Sequence, residues 1–183
     1  MKGVVFTEFL EMVEDKFSPQ VADRIIEQSV LPSGGSYTAI GTYDHNELLQ
    51  LVTRLSAESG IAVPDLVRAF GKHLFGRFVQ GYPVFFTGIT SAFDFLQRVE
   101  GFIHVEVRKL YPDAELPSIQ CHLKGPDELT MIYRSSRPLA HFGEGLIMGC
   151  IEHFGDGIAV QVEDLSNGQW NAARFTLTRP SKA

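Results

Sequence analysis

The 183-residue chain is long enough for one domain with a sizeable core. Its 44% hydrophobic and 21% charged residues are those of a soluble globular protein, not a disordered one, and no apolar run of about 18 residues marks a membrane span. Sixteen basic against 22 acidic residues leave a net charge of −6 with no Lys/Arg cluster, which argues against nucleic acid or an anionic membrane as the main partner.

The N-terminal stretch meets Glu8 and Glu11 before any apolar region of signal-peptide length, so the chain is read as cytoplasmic. Val5, Phe9, Met12, Val13 and Phe17 predict a first helix, and Ser18-Pro19 is a cap and first-turn proline for a second that starts near Val21. After a Pro/Ser/Gly loop at 32–36, Leu48, Leu51, Val52 and Leu55 mark a helix ended by Gly60. Pro64-Asp65 opens another, with Leu66, Val67, Phe70, Leu74, Phe75 and Phe78, and Tyr82-Pro83 stops it. One long helix is predicted over 91–110, closed by Pro112 and Pro117.

The period then changes. Strands are expected at 119–123 and 129–133, joined through Gly125-Pro126-Asp127, with Leu129, Met131 and Tyr133 on one face. A helix at 139–153 carries Leu139, Phe142, Leu146, Cys150 and Phe154, and a hairpin turning near 166–168 pairs Ile158, Val160 and Val162 with 170–178. The fold class is therefore α+β in a single domain at 1–183: a helical N-terminal lobe, about 1–62, packed on a lobe of helices and antiparallel sheet, about 63–183. Fourteen Phe residues suit an aromatic-lined interior or simply a Phe-rich core.

Two groups of residues carry chemistry. Tyr133, Ser135 and Arg137 alternate where strand gives way to helix, so two hydroxyls and a guanidinium line one edge. That row suits paired carboxylates, since Arg holds a carboxylate through two parallel hydrogen bonds. The ordinary reading is a polar strand end. His104 lies at the border of the apolar face formed by Phe93, Leu96, Ile103, Val107 and Leu110, where a histidine is either a core-edge residue or a metal ligand. Cys121-His122 and Cys150-x-x-His153 contain zinc-type ligands, but without a full zinc pattern. Both cysteines suit a reducing compartment as thiols. No nucleotide-binding loop or hydrolase motif is present.

His104, followed 29 residues later by Tyr-x-Ser-x-Arg, with Met-Lys-Gly at the N-terminus and Leu110-Tyr-Pro-Asp-Ala-Glu-Leu-Pro117 between, resembles the H-NOX family of haem nitric oxide/oxygen binding domains over the whole chain. The resemblance implies a haem buried between the two lobes. It makes His104 the axial ligand, makes Tyr133, Ser135 and Arg137 the propionate clamp, and has Pro117 press on the macrocycle. A haem b is implied, because no Cys-x-x-Cys-His attachment signal is present. Gly101 would leave room for the macrocycle beside the imidazole.

Oxygen-binding relatives carry a tyrosine where this chain has Phe142. Leu74, Phe78 and Leu146, with Phe9 added, would complete a wall that offers no hydrogen-bond donor. The implied activity is gas sensing without turnover. Nitric oxide, with carbon monoxide as a second ligand, is the expected gas. A histidine kinase or diguanylate cyclase acting in trans is the expected partner, since no output sequence follows within the 183 residues. A haem enzyme or haem carrier using the same pocket is the alternative, and a haem-free interaction module a third.

Overall fold

Phe6, Phe9, Met12 and Val13 recur at helical spacing and are buried along one face of α1 (Gly3–Lys16) in the computed structural model, which describes residues 1–180. The buried stripe is rotated from the expected one: Phe6 replaces Val5 in the core, and Val5 turns toward a cavity described below. Helix α2 (Pro19–Glu27) starts where its cap predicts, with the Ser18 hydroxyl accepting from the Val21 N–H at 3.3 Å. Helix α3 (His45–Ser59) ends at Gly60, whose φ of +73° is the left-handed conformation that glycine adopts without steric cost.

The loop between α2 and α3 is pinned from beneath. Buried Glu47 accepts hydrogen bonds from the Ser33 and Tyr37 hydroxyls, and the Tyr37 ring stacks on Phe6 at 4.5 Å. Burial of the carboxylate is tolerable because both bonds replace water.

Helix α4 (Val63–Gly81) serves two cores. Its Leu66, Val67, Phe70 and Leu74 join α1–α3 in one buried cluster, and Phe75 belongs to a second cluster formed with the sheet and the later helices. Beyond a 3-10 turn at Pro83–Phe86, the segment expected as one long helix is three pieces: α5 (Ala92–Arg98), a π-helical turn at Val99–Ile103, and α6 (His104–Leu110). The π turn directly precedes His104. Such single turns recur at functional sites because they displace the residues that follow relative to an unbroken helix.

Strands β1 (Ser118–Lys124), β2 (Glu128–Ser135), β3 (Ala159–Asp164) and β4 (Asn171–Thr178) form an antiparallel sheet in the order β1-β2-β4-β3. Leu129, Met131 and Tyr133 face inward, as their alternation predicts. Helix α7 (Ala140–Phe154) lies against α4 through glycine. A Cβ at Gly145 would fall on the Arg68 carbonyl oxygen, and one at Gly149 would sit 2.7 Å from Cβ of Phe75, so the two backbones meet where no larger residue fits. Among the described residues no helix is long and apolar enough to cross a membrane.

Candidate functional site

His104 heads α6 with its side chain only 10% exposed. Its Nδ1 lies 3.0 Å from Oε2 of Glu100, four residues earlier, and the same oxygen accepts the Ile119 N–H at 3.0 Å. Burial lowers the imidazole pKa below its ordinary value, with Glu100 opposing the shift, so the ring is neutral near pH 7. An ionised carboxylate only accepts, so the ring proton sits on Nδ1 and the lone pair on Nε2. Nε2 has no protein partner among the described residues. A neutral, oriented imidazole with one free nitrogen is what metal ligation requires.

Tyr133 and Ser135 stand on β2 two residues apart, and Arg137 follows just beyond the strand, where its own N–H donates to the Ser135 hydroxyl at 3.1 Å. The Arg137 guanidinium is largely buried. It donates to the carboxylate and, at 3.3 Å, to the backbone carbonyl of Glu115. Glu115 thus occupies the fork that would hold an incoming carboxylate, and its own side chain is exposed enough to yield that place to one. Burial raises the Tyr133 pKa, which keeps the phenol a hydrogen-bond donor.

One cavity of about 310 Å³ joins these groups. All nine residues singled out in the sequence, His104, Tyr133, Ser135, Arg137, Pro117, Phe142, Leu74, Phe78 and Leu146, line it. Two other expectations are corrected. Phe9 is fully buried in the N-terminal cluster against Phe70, at a ring distance of 5.2 Å, and does not reach the cavity; Val4 and Val5 of the same helix do. Gly101 lies exposed on the π turn, off the cavity, because the extra residue in that turn rotates it outward.

Sequence reasoning missed Glu100 and Glu115. The i, i+4 spacing of Glu100 and His104 was a legible signal for the first, whereas the Glu115–Arg137 pairing spans 22 residues and has no local signature. It also left out Tyr82 and Tyr111, which line the cavity; burial raises the Tyr82 pKa. Among the described residues no three His, Cys, Asp or Glu side chains gather as a separate metal site. Cys121 and His122, adjacent on β1, point to opposite faces.

The donor set fits haem. The cavity walls are mainly aliphatic and aromatic, as a porphyrin face needs. The free Nε2 suits iron, and the Arg137 row suits carboxylate substituents. Fold and site together define a haem-pocket domain of mixed helix and sheet. The family model described as Haem-NO-binding matches residues 2–162, and the chain belongs to that family, a family of haem-binding gas sensors.

The Fe(II) unliganded H-NOX protein from K. algicida is 41% identical with a TM-score of 0.92, covering 100% of this chain and 98% of that one. Its A71G mutant aligns over the same shares at 42% identity and the same TM-score. The Shewanella woodyi H-NOX, solved in solution with IWP-051 in the Fe(II)CO state, is 41% identical with a TM-score of 0.84, covering 100% and 96%. Comparison with curated proteins finds no match.

Proposed function

We propose that this protein is a cytoplasmic nitric oxide sensor that holds haem b through His104 and signals to a histidine kinase or diguanylate cyclase without turning over a substrate. The observation that carries the reading is the buried, neutral His104 with Nε2 unbonded, in the same cavity as Tyr133, Ser135 and Arg137. When bound, haem would supply an iron able to take a protein nitrogen and a diatomic gas. The family description points to nitric oxide, and the S. woodyi relative accepts carbon monoxide.

On this reading Arg137 exchanges Glu115 for a propionate, with Ser135 and Tyr133 adding uncharged donors. Pro117 bears on the macrocycle. Leu74, Phe78, Phe142 and Leu146 keep water from the gas site and present no donor, which favours nitric oxide over oxygen, since bound oxygen carries more charge and gains more from a hydrogen bond. Signalling follows from His104. His104 would hold α6 to the haem, and a change in that link would let the lobes at about 1–62 and 63–183 shift relative to each other. A gas that favours the released state biases this two-state element.

Absorption spectroscopy of the purified ferrous protein is the test. The wild type should show a haem Soret band that shifts with nitric oxide, and His104→Ala should lose most of the haem. Failure to take up haem on reconstitution, or an unchanged ferrous spectrum in His104→Ala, overturns the proposal.

A further inference from the structure

We infer that Glu100 is a positioning residue for the axial ligand: its carboxylate locks His104 in the Nδ1–H tautomer, raises the donor strength of Nε2, and ties the imidazole to strand β1. The tautomer concerns the protein alone. The donor-strength part rests on the haem reading above.

Oε2 of Glu100 takes the His104 Nδ1–H and the Ile119 N–H, each at 3.0 Å, and Oε1 lies 3.7 Å from the Arg108 guanidinium. Three groups on two elements, α6 and β1, therefore surround one carboxylate. The bond to Ile119 sets this apart from a surface pair between neighbours on a helix, which would leave the carboxylate free to rotate into water. Because a carboxylate cannot donate, the imidazole has only one way to satisfy the contact, with its proton on Nδ1. Electron density drawn toward that proton by the negative partner makes Nε2 more basic, as a carboxylate behind a metal-bound histidine does generally.

The same carboxylate links the ligand to the clamp. Ile119 on β1 pairs in register with Tyr133 on β2, so the route from His104 to the hydroxyl row is one shared carboxylate and one strand pair.

Nitrogen-15 NMR of the haem-free protein reads the tautomer directly. Wild-type His104 should be Nδ1–H, and Glu100→Ala should shift it to Nε2–H or a mixture. In the haem-loaded protein, resonance Raman of the ferrous iron–histidine stretch should fall in the order wild type, Glu100→Gln, Glu100→Ala, because Gln keeps an acceptor but loses the charge. Haem affinity in Glu100→Ala should drop by about 10- to 100-fold, the usual effect of removing such a partner, and more of its nitric oxide complex should lack the histidine bond. Glu100→Gln is nearly isosteric, so it reports even if the alanine variant folds poorly. An Nδ1–H tautomer that persists in Glu100→Ala, or one iron–histidine frequency in all three proteins, overturns the inference. A wild type that takes up no haem refutes the haem reading instead, and the tautomer measurement still decides the role of Glu100.

Discussion

Replacing Gly145 with alanine sets two opposed effects against each other, and the structure says which wins. In a helix interior alanine is favoured over glycine by about 1 kcal/mol, so propensity alone predicts that Gly145→Ala in α7 is stabilising. The added Cβ, however, would fall on the Arg68 carbonyl oxygen of α4 and lie 3.0 Å from Cα of Gly71, where ordinary contact begins near 3.4 Å. The obstacle is backbone, not a side chain that can swing aside, so α4 and α7 must part by on the order of 1 Å.

A gap of that size forfeits roughly a quarter to a half of the dispersion energy of each facing atom pair, and overpacking of this kind costs about 1–3 kcal/mol. Strain borne by rigid backbone belongs at the upper end, which leaves a net loss of about 1–2 kcal/mol after the propensity gain. Gly76→Ala in α4 is the control: nothing lies within 4 Å of a Cβ there, so it should stabilise by about 1 kcal/mol. Urea unfolding followed by far-ultraviolet circular dichroism measures both. If Gly145→Ala is as stable as the wild type, or both variants move in the same direction, the close crossing of α4 and α7 is wrong.

Arg137→Ala should speed haem transfer to excess apomyoglobin by about 10- to 150-fold, the equivalent of about 1.5–3 kcal/mol for charge-assisted bonds. Ser135→Ala should speed it by about 2- to 13-fold, from about 0.5–1.5 kcal/mol for a neutral bond; equal rates would remove charge as the basis of the clamp. The ferrous wild type should bind nitric oxide and carbon monoxide but form no stable oxygen complex in air, and Phe142→Tyr should introduce detectable oxygen binding. A wild-type oxygen spectrum that persists would point to a donor such as Tyr82 within reach of the gas. His104→Gly supplied with free imidazole should regulate the partner as the nitric oxide state does; behaviour like the unliganded protein would route the signal elsewhere, for instance through Pro117. Burial pushes the Cys121 thiol up to about 11, so at pH 8 only about one molecule in a thousand is thiolate, and iodoacetamide labelling of the native protein should lag that of the urea-unfolded protein by more than tenfold.

The features that are local in sequence were legible because their physics is local. The Ser18 cap, the Gly60 helix stop and the inward alternation of Leu129, Met131 and Tyr133 each depend on a few neighbouring residues. His104 and the Tyr-x-Ser-x-Arg row stood out for a related reason: residue types suited to a ligand and a carboxylate clamp can be read from a short string. Packing decided the rest. Phe9 and Val5 are both apolar residues of α1, and nothing in their order says that Phe9 turns into the N-terminal core while Val5 faces the cavity; the position of α4 settles that. The π turn that carries Gly101 outward has no periodic signature in so short a segment. The Glu115–Arg137 pair and the Glu100–Ile119 bond, 22 and 19 residues apart, exist only because the chain between them folds back. Sequence thus pointed to the candidate binding residues and, apart from the broken 91–110 segment, to roughly where helices and strands lie, and tertiary structure decided which faces look into the cavity and which distant groups meet there, since those contacts join residues with no local interaction to encode them.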